Sequence, residues 1–296
     1  MHITFMHGDK IMNARHAAQP LVTVYIPTHN RSSLVKSAIA SVQTQTYKNL
    51  EIIVCDDGSS DDTAAVIAEM QKSDNRIVYL KNDVPMGACY ARNRCIDIAR
   101  GEFITGLDDD DYFLSARVAN FVDASRRLNK SFLCANMIFK NRDIERKWKE
   151  YTGDVTLNMM GFKNWVGNQV FIKTVMMKNV GGFDTSFPAW QDYDLWYRMI
   201  LRYGACYRMN DATYVVNIED DRPRITTGSK AWQGYQKFIT THKAHLSRQH
   251  LNSLYFQDKQ NRKDEINFKE FIHYPGIDNL LILAKHKVRK LIGIHK

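Results

Sequence analysis

No stretch of this 296-residue chain approaches the roughly 18 apolar residues that a membrane-spanning helix requires. Residues 1–20 lack the apolar core of a signal peptide and are polar, His-bearing and without period. They are expected to be a disordered leader outside the fold, with Met12 as an alternative start. Cysteine is sparse: Cys55, Cys89, Cys95, Cys134 and Cys206 are scattered, odd in number and never spaced C-x-x-C. That excludes a disulfide framework and a zinc site, and points to free thiols in a reducing cytoplasm. Neither G-x-G-x-x-G nor G-x-x-x-x-G-K-[ST] occurs, which argues against a dinucleotide-binding fold and a P-loop ATPase. Acid is outnumbered, with 41 Lys and Arg against 32 Asp and Glu and a formal charge of +9. The excess implies an anionic partner, such as a nucleotide, a nucleic acid or an acidic membrane surface. No nucleic-acid-binding motif is present, so no nucleic-acid partner is expected.

What acid there is includes one dense run. Asp108, Asp109, Asp110 and Asp111 follow the apolar run Phe103-Ile104-Thr105-Gly106-Leu107. Like charges a few ångströms apart repel by about 1 kcal/mol even in water and by several times more near a protein surface. A metal, basic side chains or raised pKa values must offset that repulsion. Mn²⁺ or Mg²⁺ suits the position, since hard divalent ions take one or two carboxylates and fill the remaining sites with water and phosphate oxygens. The bland alternative is a solvated acidic turn, and the surrounding pattern decides between them.

From Leu21 onward short β-branched strands alternate with amphipathic helices. Strands are expected at residues 22–26, 51–55, 76–80 and 102–107. Between them, Leu34, Ala38, Ile39 and Val42, then Val66, Ile67 and Met70, keep helical spacing, and a third helix is expected from about residue 87 to 99. Such alternation predicts an α/β fold with a mainly parallel sheet flanked by helices. Ligands of such sheets bind beyond the carboxyl ends of the strands. The turns at residues 27–30, 56–60 and 108–111 all lie at those ends, so they can converge on one pocket.

The motifs in order are Val24-Tyr25-Ile26-Pro27-Thr28-His29-Asn30-Arg31, Val54-Cys55-Asp56-Asp57-Gly58-Ser59-Ser60-Asp61, Gly87 with Ala91-Arg92-Asn93, Leu107-Asp108-Asp109-Asp110-Asp111, and Gly181-Gly182-Phe183-Asp184 with Gln191-Asp192-Tyr193-Asp194-Leu195-Trp196. Together they resemble family 2 glycosyltransferases of the GT-A fold over about residues 21–204. The resemblance implies that Pro27, Thr28, Asp56 and Asp57 contact uracil and ribose. It implies further that Asp108 and Asp109 contact the nucleotide sugar, that Asp108 and Asp110 ligate Mn²⁺ or Mg²⁺, and that Arg92 approaches the phosphates. Asp192 becomes the base that deprotonates an acceptor hydroxyl, with Trp190 and Gln191 beside it facing the acceptor. Gln191 stands where the family carries glutamate, which removes a negative neighbour of Asp192. Asp194 reads as a structural contact, and Arg224, within Asp220-Asp221-Arg222-Pro223-Arg224, as a residue of a loop closing over the nucleotide.

The chain is thus divided into a leader (1–20), a GT-A catalytic domain (21–236, with a nucleotide-sugar half 21–111 and an acceptor half 112–236) and a helical, basic C-terminal segment (237–296). Residues 141–150 read as a charged, solvated connection. In the last segment Ile277, Leu280, Leu281, Ala284, Val288, Leu291 and Ile292 keep helical spacing beside Lys285, Lys287, Arg289 and Lys290. Such a helix can lie on an anionic bilayer or pack on the catalytic domain. The expected protein is a cytoplasmic enzyme, free or peripheral on the inner face of the plasma membrane. It would transfer glucose or galactose from a UDP-sugar, with inversion to a β-linkage, onto a lipid-linked saccharide of O-antigen or capsule. A catalytically silent relative that binds nucleotide sugar or membrane is the alternative.

Overall fold

Alternation of buried residues on two sides of each central strand fixes the layering. In the computed structural model, which describes residues 19–130, 132–142, 144–148, 151–218, 228–262, 264–276, 279–284 and 287, β1 (Val22–Thr28) and β2 (Leu50–Asp56) are buried throughout. Val22, Val24 and Ile26 pack on one face with Ile52 and Val54; Tyr25, Ile53 and Cys55 pack on the other. A strand with both faces covered needs apolar side chains at every position, which these runs supply. Truncating one of them, Ile53→Ala for example, would cost about 2–5 kcal/mol.

α1 (Ser32–Gln43), α2 (Thr63–Ser73) and α4 (Arg117–Arg127) place apolar side chains on the first face. α3 (Ala88–Ile98), α5 (Leu157–Phe162) and α7 (Gln191–Tyr203) cover the second. The remaining strands are β3 (Ile77–Lys81), β4 (Phe103–Gly106), β5 (Tyr112–Phe113), β6 (Phe132–Asn141), β7 (Ile144–Trp148), β8 (Gly153–Val155), β9 (Phe171–Lys173) and β10 (Cys206–Asn217), with α6 (Thr174–Asn179) following β9. Sheet order is β3-β2-β1-β4-β9-β6-β10-β5, with β7 on β6 and β8 on β10. β3, β2, β1 and β4 run parallel, so their carboxyl ends, and the three turns that follow β1, β2 and β4, emerge on one edge. β9 enters antiparallel between β4 and β6. All five cysteines are buried free thiols.

Two expectations change. The connection assigned to residues 141–150 contains β7, paired antiparallel with β6 from Met137↔Trp148 to Asn141↔Ile144. Its charged sequence Ile-Glu-Arg-Lys-Trp suits an edge strand, where lysine and glutamate discourage pairing with another chain. The division between residues 236 and 237 falls inside α8 (Ser229–His242). Ala231 and Tyr235 before that point and Phe238 after it are all buried, and Tyr235, Phe238 and Leu254 of α9 (Arg248–Arg262) join the core beneath α7. These helices are packed on the catalytic layers; α10 (Phe268–His273) follows with a capping box at Asn267 and Glu270. The leader through residue 18 and most of the basic tail, including residues 288–296, lie outside the described residues. No helix among the described residues is long and apolar enough to cross a membrane.

Candidate active site at the strand ends

The turn after β1 is held to the turn after β2. Asn30, at a left-handed φ of 52°, donates its N–H to Ser59 Oγ at 2.8 Å and accepts from the Ser60 N–H at 2.8 Å. Asparagine tolerates that conformation because its short polar side chain bonds locally. Asp56 lies beneath this junction, fully buried, accepting from the Ser59 N–H and the Tyr79 hydroxyl at 2.7 Å each. Asp57 faces the pocket and also accepts from the Asn82 amide at 2.6 Å and from the Met86 and Gly87 N–H groups at 2.8 and 2.6 Å. It thereby shapes the loop leading into α3. A side chain at Gly58, φ 72°, would place its Cβ 2.9 Å from the Pro85 nitrogen, so the tight approach of these loops requires glycine.

The acid turn after β4 is bound on every side. Asp108 Oδ1 accepts from Arg92 at 3.0 Å and from the Gln169 amide at 3.4 Å. Asp109 accepts from the Thr28 hydroxyl at 2.8 Å and from Arg31 Nη1 at 2.7 Å, and the same Nη1 reaches Asp110 Oδ2 at 3.1 Å. Asp111 Oδ1 accepts from the Asn217 N–H at 2.9 Å at the end of β10. Burial raises the carboxyls of Asp109 and Asp111, with Arg31 opposing the rise at Asp109 and with Asp108 and Asp110 adding to it at Asp111. Two arginines and raised carboxyls therefore answer the charge repulsion of the run.

Arg92, on the buried side of α3, sits 5.2 Å over the Phe183 ring, and its Nε and Nη1 have no hydrogen-bond partner among the described residues. Burial works against its charge, yet Asp108 and Asp192 hold its pKa above the ordinary value. Opposite, the first turn of α7 brings Gln191 and Asp192 to the pocket wall. Asp192 Oδ1 is shielded from solvent without a partner. Loss of hydration pushes this carboxyl up to about 7, with Arg92 drawing it down and Asp108 pushing it further up. Asp194, two residues on, is 1% exposed and saturated, accepting from Arg198 at 2.8 Å and bonding His242 at 2.9 Å. Arg198 also donates to the Val180 and Gly182 carbonyls, and Asn93 pairs with the Phe183 backbone in both directions at 2.8 Å. The segment through Gly181-Gly182-Phe183 is thus fastened both to the helix bearing Arg92 and to the helix bearing Asp192.

The resulting cavity is about 390 Å³ and is lined by Pro27, Thr28, Asp57, Arg92, Asp108–Asp111, Gln191 and Asp192 among others, a size that holds a small-molecule ligand. Two expected residues do not line it. Asp56 supports the floor, and Trp190 packs among Tyr193, Tyr235 and Phe238. Arg224 lies outside the described residues. Arg31, Asn168 and Asn217 line the cavity without having been singled out from the sequence. Arg31 stands inside the first motif, and its partners lie 78 and 79 residues away, a distance over which no local pattern operates.

The donors suit a hard cation. No hydrogen bond among the described residues engages Asp108 Oδ2 or Asp110 Oδ1, and the two side chains are 23% and 31% exposed. No cluster of three or more His, Cys, Asp or Glu is placed to hold an ion alone among the described residues. An ion here would complete its shell from water and substrate phosphates, the habit of Mg²⁺ and Mn²⁺.

A strand-end cavity pairing acidic turns with a shielded carboxylate on the head of a helix, on this sheet, defines a GT-A glycosyltransferase. The chain belongs to glycosyl transferase family 2, whose model matches residues 23–187. It is 35% identical over 240 residues to WcaA of Escherichia coli K12, a protein named for colanic acid biosynthesis, covering 77% of this chain and 84% of that one. It is 29% identical to WfaP of Escherichia coli, a UDP-Glc:α-D-GlcNAc-diphosphoundecaprenol β-1,3-glucosyltransferase, over 74% of this chain and 83% of that one. It is also 41% identical to the GalNAc(5)-diNAcBac-PP-undecaprenol β-1,3-glucosyltransferase of Campylobacter jejuni, over 45% and 43% of the two chains. Among solved structures, residues 1–349 of Staphylococcus aureus TarS in complex with UDP-GlcNAc share the fold. The TM-score is 0.68 and the identity 17%, over 90% of this chain and 79% of that one.

Proposed function

We propose that this glycosyltransferase moves a hexose, glucose or galactose, from a UDP-sugar to a polyprenyl-diphosphate-linked saccharide of O-antigen or capsule biosynthesis, inverting to a β-linkage. The observation that carries the reading is Asp192: a carboxylate with no hydrogen-bond partner among the described residues and a pKa raised to about 7, on the wall of the cavity that contains the acid turn. The acceptor hydroxyl oxygen attacks the anomeric carbon as the bond to the diphosphate oxygen breaks. The hydroxyl proton passes to Asp192, and the electron pair leaves with UDP. A base works best when its pKa lies near the working pH, and a shift to about 7 provides that match. Arg92 lies where a leaving diphosphate needs positive charge, its two orphaned nitrogens being donors in search of an acceptor. Mn²⁺ or Mg²⁺ held by Asp108 and Asp110 would supply further neutralisation of the diphosphate. Asp57 and the backbone at Pro27 and Thr28 are assigned to the nucleoside, and Gln191 to the acceptor.

The choice of lipid-linked acceptor and of glucose follows the activities for which the WfaP and Campylobacter relatives are named. A peripheral position on the inner membrane face would follow from such an acceptor, with the basic C-terminal segment as the contact. Deleting residues 275–296 should then reduce sedimentation with anionic vesicles, and unchanged sedimentation would remove that contact from the proposal.

The test is UDP release from a panel of UDP-sugars with Mn²⁺, with and without a GlcNAc- or GalNAc-diphosphate-lipid acceptor, for the native chain and Asp192→Asn. Acceptor-dependent release that disappears in the variant supports the reading. Metal-dependent UDP binding without turnover on any acceptor in the panel would overturn it.

A further inference from the structure

Arg31 occupies a position that the transfer reaction does not by itself explain. One of its nitrogens, Nη1, lies between two carboxylates, 2.7 Å from Asp109 Oδ1 and 3.1 Å from Asp110 Oδ2. The two contacts are unequal in setting. Asp109 is 5% exposed and held from its other oxygen by Thr28, whereas the Asp110 side chain is 31% exposed and Arg31 is its one ion-pair partner among the described residues. Backbone motion at Arg31 is restricted on both sides, by the Asn30 bonds to Ser59 and Ser60 and by the Arg31 carbonyl accepting from the Val35 N–H at 2.9 Å. The Arg31 side chain, 30% exposed, is the part free to turn. Across the same cavity lies Arg92, only 7% exposed, whose buried Nε and Nη1 have no hydrogen-bond partner among the described residues.

We propose that Arg31 is a resident counter-ion of the acid turn, displaced from Asp110 by a divalent cation and then turned onto the diphosphate that arrives with it. The inference rests on the nucleotide-sugar reading above. Asp109 serves as the pivot: Arg31 keeps that bond while the Asp110 carboxylate exchanges a guanidinium N–H for the ion. The freed guanidinium edge then pairs with a phosphate oxygen, a planar, charge-assisted contact that arginine makes well. Without ligand, Arg31 quenches the repulsion that would distort the turn. With ligand, the positive charge stays in the cavity and faces Arg92 across the diphosphate. Metal binding and nucleotide binding are thereby coupled, because each completes the exchange that the other begins.

This makes opposite demands on two ligands, and so can be separated from catalysis. In the full-length chain, free Mn²⁺ is followed by its electron paramagnetic resonance signal without nucleotide, and UDP binding is then followed calorimetrically at saturating Mn²⁺. Arg31→Gln should bind Mn²⁺ alone at least about threefold more tightly, since a competing unit charge is gone, and bind UDP about tenfold more weakly, since a charge-assisted pair is lost. Mn²⁺ affinity unchanged or reduced would overturn the proposal, as would unaltered UDP affinity or a native chain that binds no Mn²⁺ even with UDP present. If Arg31→Gln does not fold, Arg31→Lys decides. Its charge keeps Mn²⁺ affinity native, while the loss of the planar fork weakens UDP several-fold; native UDP affinity in that variant would overturn the proposal. Neither binding measurement requires transfer, so a failure of the acceptor assignment leaves this result readable.

Discussion

The two acidic walls of the cavity treat their carboxylates in opposite ways. At the turn after β4, all four aspartates have hydrogen-bond partners, with Arg31 and Arg92 supplying the positive charge. At the head of α7, Asp194 is saturated by Arg198 and His242, while Asp192 has no hydrogen bond among the described residues. A carboxylate bonded by donors is fixed in place, whereas one with an oxygen shielded from water and left unbonded holds a proton more readily. The difference separates holding from chemistry: the strand-end turn fixes all four of its carboxylates in place, two of them raised by burial, and the helix head carries the proposed base.

Replacing Asp192 attacks the contrast most directly. Asp192→Asn should lower kcat by about 10²–10⁴ with little change in UDP affinity, as read by UDP release and calorimetry. Its thermal stability should be unchanged or raised. The folded-state pKa lies above that of an ordinary aspartate, so at neutral pH ionisation costs the folded state more than the unfolded one, and removing the charge removes the cost. Asp194→Ala should do the reverse. Stranding Arg198 and His242 in a buried site should cost about 3 kcal/mol of stability, measured by urea denaturation. If Asp194→Ala instead kept full stability and lost only turnover, the division between the two residues would be mistaken.

A smaller effect concerns pH. As the proposed base, Asp192 acts in its deprotonated form, so kcat/KM should fall as pH drops below about 7. Gln191→Glu would restore a negative neighbour and raise the Asp192 pKa, so the acidic limb should move to higher pH. A limb that stays in place in Gln191→Glu would show that a group other than Asp192 controls it.

These contrasts differ in how far they could be read from sequence. β1, β2 and β4 were legible because apolar residues run between polar turns, and their carboxyl ends did converge. β7 was not, because an edge strand carries the charges of a loop; only the cross-strand partner of Glu145, Arg146 and Lys147 distinguishes the two. The boundary at 236/237 was set where the resemblance ends, but it falls inside a helix whose Tyr235 and Phe238, on either side of it, both enter the core. At the site, Asp192 was assigned the base role through resemblance and Asp194, two residues on, a structural one, but the hydrogen bonding that sets them apart was not legible. That difference comes from His242, 48 residues on, and from the lack of any such donor near Asp192. Asp56 and Asp57 were likewise adjacent and indistinguishable in sequence. Their roles separated only when Tyr79 was found to reach one and the Met86 and Gly87 N–H groups the other.

Thr28 provides the finest test of whether the binding wall works by holding its own carboxylates. Thr28 was expected to contact the nucleoside, yet its hydroxyl donates to Asp109 Oδ2 at 2.8 Å and the residue is 4% exposed. Thr28→Val keeps the shape of the side chain and deletes that one donor, leaving a buried carboxylate oxygen less satisfied. The expected loss of stability is about 1 kcal/mol. UDP affinity should change by less than about threefold, because Arg31 still holds the other oxygen of Asp109 and the turn keeps its course. A tenfold loss of UDP affinity with stability intact would place the hydroxyl on the nucleotide instead. The wall would then bind by direct contact at Thr28 rather than through a carboxylate fixed by its neighbours.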